Sequence, residues 1–178
     1  MQNRINTELM KIVKLIPTLA FLFSTIAYSQ DISDNTIGLR LGDSDGFGAE
    51  VSYQRGINRY NRLELNLGFR DHRAYDAFKF SGVYQWIHNI TGGFNWYYGF
   101  GAGAGSVNFD PVPANLGPAL VPEGGLFVFA AGDAGVEYDF DFPLLISFDI
   151  RPEIGIVGYD SFDDLFDFDI ALGVRYKF

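Results

Sequence analysis

The sequence contains no cysteine and only two methionines, two tryptophans and two histidines among its 178 residues. The missing cysteine excludes disulfide bridges, thiol nucleophiles, zinc ribbons and a lipidated N-terminal cysteine. Basic residues are scarce as well, because 13 Lys and Arg stand against 22 Asp and Glu, for a formal net charge of −9. Such a chain has no means to neutralise a run of phosphates, which argues against nucleic acid as a partner.

The sequence also lacks an apolar run of the ~20 residues that a membrane-spanning helix requires. A shorter apolar run over residues 15–26 follows two lysines and ends at Ala27 and Ser29. A basic start, a short apolar segment and small residues at positions −3 and −1 predict a cleavable signal peptide over residues 1–29. The mature domain would then cover residues 30–178.

Cleavage at this position would leave 10 basic and 21 acidic residues, a net charge of −11. Translation is open to either Met1 or Met10, because residues 1–9 add nothing that a signal peptide needs. A buried N-terminal helix is the alternative interpretation of this segment, and Pro17 disfavours it. The sequence therefore predicts an exported, acidic domain.

After the signal segment, apolar residues recur with period two, which is typical of β-strands, and no sustained helical period of 3.6 is present. We predict eight strands, over residues 36–42, 47–56, 62–71, 77–88, 94–108, 126–138, 144–157 and 167–178. Most of them have about the 9–11 residues that a tilted membrane strand requires. Pro152 interrupts the seventh segment, so we expect the membrane-embedded part of that strand to end near Arg151, or a bulge to lie there.

Two kinds of β-barrel give this alternation, and three features distinguish them. A soluble barrel turns its apolar face inward, whereas a membrane barrel turns it toward lipid. Here, aromatic residues gather near strand ends, and short connections (57–61, 89–93, 139–143) alternate with longer ones (109–125, 158–166). The chain also ends on a strand, as closure of strand eight against strand one requires. These features favour the membrane barrel, and a secreted soluble barrel with an apolar ligand remains an alternative.

The final residues, "IALGVRYKF", place apolar or aromatic side chains at alternate positions and end on an aromatic carboxyl terminus. This end resembles the C-terminal insertion signal of outer-membrane barrel proteins, with its side chains at Ile170, Leu172, Val174, Tyr176 and Phe178. Residues 36–178 resemble the small eight-stranded outer-membrane barrels of the OmpA transmembrane domain and OmpX type.

This resemblance implies an all-β fold, an eight-stranded antiparallel up-and-down transmembrane β-barrel in the outer membrane. Its implied partners are outer-membrane lipid and the barrel-assembly machinery, which would bind the C-terminal strand. The implied role is structural or one of surface interaction, without catalysis and without a cofactor.

The alternation predicts that charged side chains line the interior of this barrel. We expect an interior charge network formed by Arg40, Glu50, Glu64, Arg70, Lys79, Asp133, Asp149, Arg151, Asp169 and Arg175. With Arg62, Lys177, Glu137 and Glu153 added, the two signs balance. An eight-stranded barrel is only wide enough for side chains to fill, and buried charges must be paired, so this set predicts a plug. A narrow ion path is the less favoured alternative, and strand number excludes a wide sugar porin.

Catalytic and metal motifs are weak in this sequence, and we assign no catalytic, cofactor or metal residue. A lipid-modifying barrel enzyme is an alternative in which His72 would act with Ser81 and a nearby aspartate, although no spacing specifies such a triad. The "GFGAGAGS" run lacks the Lys-Ser/Thr of a phosphate loop. The "DSDG" run lacks the downstream glutamate of a calcium loop, so cation binding by the acidic loops is left open.

The loops supply the remaining prediction. Residues 110–125 carry four of the seven prolines and several apolar residues, which is unusual for a solvated loop. Together with residues 158–166, this loop is the expected site for a surface ligand, if the protein binds one.

Overall fold

A computed structural model describes residues 32–42, 48–72, 75–109, 124–158 and 165–178, without the side chains of residues 71, 72, 75 and 109. The predicted signal peptide lies outside these residues. The strands are β1 (Asn35–Leu41), β2 (Ala49–Asn58), β3 (Asn61–His72), β4 (Tyr75–Thr91), β5 (Phe94–Phe109), β6 (Gly125–Asp139), β7 (Leu144–Val157) and β8 (Phe166–Lys177). Each begins and ends within three residues of its predicted bounds. No helix in the described ranges is long and apolar enough to cross a membrane.

The eight strands form one closed barrel in chain order, and every neighbouring pair is antiparallel. Closure joins β1 to β8, from Thr36 opposite Lys177 to Leu41 opposite Leu172. The prediction of an eight-stranded antiparallel up-and-down barrel is therefore confirmed. We call the end with the β2–β3, β4–β5 and β6–β7 connections and both ends of the sheet the turn end, and the opposite end the loop end.

The two faces of each strand differ as the alternation predicted. Outward-facing positions carry exposed apolar side chains on every strand, such as Leu39 on β1, Phe80 on β4 and Leu172 on β8. Inward-facing positions carry most of the charged side chains, and Arg40, Arg151 and Arg175 are among the largest fully buried ones. A soluble barrel with an apolar ligand cavity is thus contradicted, because the apolar faces point away from the interior.

Aromatic side chains gather on the outward face near the turn end of β4 and β5. His88 stacks on Trp96 with ring centroids 4.6 Å apart, and Trp86 stacks on Tyr98 at 5.3 Å. These rings belong to the strand-end cluster noted in the sequence. Aromatic girdles of this kind are typical of membrane barrels, where they lie at the depth of the lipid headgroups.

Glycines on the inward face make room for large side chains of neighbouring strands. A Cβ at Gly103 would collide with the ring of Phe129, and one at Gly105 with the ring of Phe127. The alternating glycines of the "GFGAGAGS" run therefore allow β6 to direct two phenylalanines into the barrel. The space that the sequence led us to expect for long inward side chains is filled here by aromatic rings.

Pro152 differs from both sequence-based expectations. β7 continues through it to Val157, and its pairing with β8 is uninterrupted, with Pro152 opposite Phe168. The pairing with β6 instead skips two positions, from Ala131 opposite Glu153 to Ala134 opposite Ile150, and resumes in the same register. There is thus no bulge at Pro152, because the absent N–H only interrupts the ladder on one side of the strand.

Candidate functional site: the barrel interior

Charged pairs near the turn end connect strands that are not neighbours. Lys177 on β8 bonds the carboxylate of Asp139 on β6, and its Nζ also donates to the carbonyl oxygen of Phe140 at 2.5 Å. The next pair joins β3 to β6, where Arg62 Nη1 lies 2.7 Å from Glu137 Oε2. The Arg62 guanidinium also lies 4.8 Å from the centroid of the Tyr97 ring.

Glu64 on β3 is the centre of the largest group of contacts. Its Oε1 accepts from Arg151 Nη2 at 2.8 Å, and its Oε2 lies 3.3 Å from Arg175 Nη2. Two amides complete the group, because Gln54 Nε2 donates to Oε2 at 2.7 Å and Gln85 Nε2 does so at 3.2 Å. Arg151 reaches Glu64 from the opposite wall of the barrel, so this pair spans the full width of the interior.

Arg40 on β1 forms a second group, with three carboxylates from three strands. Its Nε donates to Asp149 Oδ1 on β7 at 3.0 Å, and its Nη1 donates to Glu50 Oε2 on β2 at 3.2 Å. Nη1 also bonds the carboxylate of Asp169 on β8. A guanidinium has five N–H donors in a fixed fork, so one arginine can hold several carboxylates that would otherwise repel each other.

The last cross-barrel pair lies nearest the loop end. Lys79 Nζ on β4 lies 2.6 Å from Glu153 Oε2 on β7. The same ammonium lies 4.8 Å from the centroid of the Phe129 ring. Phe129 belongs to an apolar cluster completed by Ala77, Val107, Phe127 and Ala131. The interior therefore changes from charged to apolar beside this lysine.

The structure places nine of the ten predicted network residues in the interior with little exposure, namely Arg40, Glu50, Glu64, Lys79, Asp133, Asp149, Arg151, Asp169 and Arg175. Arg70 differs, because it is only half-buried on β3 near the loop end. Asp133 joins the Glu64 group through Gln85 and lies 3.6 Å from Arg151.

The expected balance of charge is wrong for the buried residues. Eight carboxylates and five basic side chains are buried, since Arg70 and Lys177 are only half-buried and Asp139 is buried. We missed Asp139 because the sequence pattern placed it in a turn, although it is the last residue of β6. Its inward position follows from its even spacing from Glu137 and Asp133, which was the one available signal.

The residues of the enzyme alternative do not come together. Ser81 lies opposite Asn66 on β3, six residues along the strand from His72, which is about 20 Å at ~3.3 Å per residue. The His72 side chain lies outside the described part of the structure, as do the acidic loop residues 43–47 and 159–164. Among the described residues, no group of three or more His, Asp or Glu side chains is placed to hold a metal ion.

No protein-family model matches the sequence, and no curated protein matches it either. Solved structures do resemble it. The N-terminal β-barrel domain of Pseudomonas aeruginosa OprF has a TM-score of 0.59 and 15% identity, over 82% of this chain and 98% of that chain. Neisserial surface protein A (NspA) has a TM-score of 0.53 and 12% identity, over 81% of this chain and 94% of that one.

A third similar structure is Ail, the attachment invasion locus protein of Yersinia pestis, with a TM-score of 0.51 and 18% identity. That alignment covers 82% of this chain and 97% of Ail. At these identities the likeness concerns the fold, and it agrees with the closed barrel, the apolar outward face and the charged interior described above. The chain has the fold of the eight-stranded outer-membrane β-barrels.

Proposed function

We propose that the protein is exported and lies in the outer membrane as a plugged, non-catalytic barrel that anchors surface loops. The turn end would face the periplasm and the loop end the cell exterior. Exposed apolar side chains on all eight strands support this location, because in water such a surface would be an aggregation liability. The fold shared with outer-membrane barrels supports it as well.

The observation that carries the plugged state is the set of contacts between strands on opposite walls. Arg62–Glu137, Glu64–Arg151 and Lys79–Glu153 each cross the interior, at successive levels between the two ends. A continuous water-filled path would require these pairs to separate, and separating buried ion pairs is expensive. A structural plug is thus favoured over an ion path.

The loops and the C-terminal strand give the barrel its proposed partners. Loops 110–125 and 158–166 would present the surface-interaction site at the cell exterior. The alternate side chains of β8 would be recognised by the barrel-assembly machinery, and all five are exposed on the outward face: Ile170, Leu172, Val174, Tyr176 and Phe178.

Cell fractionation followed by gel migration with and without boiling tests this proposal. We expect the protein in the outer-membrane fraction, with a mobility shift on boiling that reports a closed, detergent-resistant barrel. Planar-bilayer recording of the purified protein should then show no discrete conductance steps. Recovery in the soluble fraction without a mobility shift would refute the membrane location, and steady conductance steps would refute the plug.

A further inference from the structure

A recess of about 490 Å³ opens near the loop end, where β3, β4 and β5 lie side by side. Its lining consists of Phe69, Arg70, Asp76, Ala77, Phe78, Ser106 and Asn108. The pairing of the strands sets these residues in rows, because Phe69 lies opposite Phe78 and Phe78 lies opposite Ser106. Asp76 and Asn108 form the next row toward the loops.

The recess lies where the outward surface changes from apolar to polar. The row toward the turn end from Phe78 but one is Leu67, Phe80 and Ala104, which is wholly apolar. Phe69 and Phe78 are exposed beside the recess, whereas Asp76 and Asn108 are exposed on its loop-end side. In a membrane, such a boundary marks the depth at which acyl chains give way to headgroups.

The charges in the recess are one of each sign. Arg70 is half-buried and Asp76 is exposed, and no other residue of the lining is ionisable. Ser106 and Asn108 add neutral hydrogen-bonding groups. A ligand that matches this set has an anionic group for the guanidinium, a cationic group for the carboxylate and an apolar part for the phenylalanines.

We propose that this recess binds a zwitterionic phosphoethanolamine lipid of the outer leaflet. The phosphate would bind Arg70, the primary ammonium would donate to Asp76, and the first part of an acyl chain would pack against Phe69 and Phe78. This inference rests on the membrane location proposed above. It adds a lipid-binding site of defined headgroup chemistry on the outward face, separate from the charged interior and from the surface loops.

The charges of the recess predict selectivity among lipids. Phosphatidylglycerol has the phosphate but no ammonium, so Asp76 would face an uncompensated negative charge. Phosphatidylcholine has a quaternary amine without an N–H, so it cannot donate a hydrogen bond to the carboxylate. Phosphatidylethanolamine therefore fits best of the three.

The test uses the mature protein in mixed vesicles with equal amounts of phosphatidylethanolamine, phosphatidylglycerol and phosphatidylcholine. The lipids retained on the intact protein after transfer to detergent are counted by native mass spectrometry. We expect phosphatidylethanolamine to be retained in preference to the other two. Arg70→Gln should lower its retention by about fivefold, as the loss of one partly exposed charge-assisted contact predicts.

Two further variants keep the outcome clear. Asp76→Asn should raise phosphatidylglycerol to the level of phosphatidylethanolamine, because the repulsion is removed. Arg55→Gln is the matched control, since Arg55 is exposed on the outward-facing side at the turn end of β2, outside the recess. It should leave retention unchanged.

The boiling shift of each variant separates the two proposals. A protein without the shift contradicts the membrane barrel itself. A protein that shifts on boiling, yet retains the three lipids equally or loses lipid to the same extent in Arg55→Gln and Arg70→Gln, overturns the headgroup site and leaves the barrel proposal standing.

Discussion

The interior of this barrel is filled in two different ways on its two sides. Near the loop end of β4, β5 and β6, five apolar residues pack together, with Phe127 and Phe129 at their centre. Across from them, β7, β8, β1, β2 and β3 contribute arginines and carboxylates that bond one another. The apolar side is stabilised by contact area, whereas each member of the charged side depends on particular partners.

Both sides rely on glycine to make the filling possible. Gly103 and Gly105 leave room for phenylalanine rings, and a Cβ at Gly173 would collide with the guanidinium of Arg175 and the hydroxyl of Ser147. The comparison teaches that a narrow barrel needs small residues on one strand wherever its neighbour carries a large inward side chain. What the large side chain is made of then decides how tolerant that side is to substitution.

Glu64→Gln should have the largest effect, because it keeps the size of the side chain and removes the charge that Arg151 and Arg175 share. We expect a loss of about 3 kcal/mol in the free energy of unfolding, as is typical when a buried ion pair loses one partner. Urea titration in phospholipid vesicles, followed by boiling-sensitive gel mobility, measures it. Glu50→Gln is the control and should lose only about 1 kcal/mol, because Arg40 keeps Asp149 and Asp169. Equal losses would contradict the central role of Glu64.

Gly173→Ala should cost about 2 kcal/mol, since the added methyl group displaces Arg175 from Ser147 and Glu64. The same urea titration applies. Adding Ser147→Ala should recover part of the loss, because it removes one of the two groups that the methyl group meets. A double variant no more stable than Gly173→Ala alone would contradict this account of the glycine.

Phe129→Leu tests the apolar side with a swap of similar chemistry and should cost only about 1 kcal/mol, because a packed apolar site adapts to a related side chain. The measurement is again urea titration in vesicles. A loss as large as that of Glu64→Gln would mean that the two sides of the interior do not differ in tolerance, and it would overturn the comparison.

Ala104→Leu should have the smallest effect, less than about 0.5 kcal/mol. Ala104 is adjacent to Gly103 in sequence but lies on the exposed outward face, where lipid would accommodate the larger side chain. The corresponding change at Gly103 would collide with Phe129. The pair therefore reports, residue by residue, which face of β5 is packed.

The strands and their faces could be predicted from the sequence, because period two fixes both at once. The bounds of β7 match, and the inward positions of Glu64, Arg151 and Arg175 follow from alternation alone. The pairs they form could not be predicted, because these depend on how far each strand is displaced along its neighbour as the barrel closes.

The errors have similar causes. Asp139 was assigned to a turn because turn residues surround it, although β6 extends to include it. Pro152 was expected to end or to bulge a strand, but the ladder tolerates it by losing pairs on one side only. Local sequence signals mark where pairing is disfavoured, and the closed sheet determines whether the strand continues regardless.

The contacts across the interior also bear on the order in which the protein folds. Arg40 and Asp169 are 129 residues apart in the chain, Arg40 and Asp149 are 109 apart, and Glu64 and Arg151 are 87 apart. These partners can meet only when β1 and β8 come together, so until then each charge must keep its hydration. Closure of the sheet and dehydration of its interior are therefore a single late event, because neither is favourable without the other.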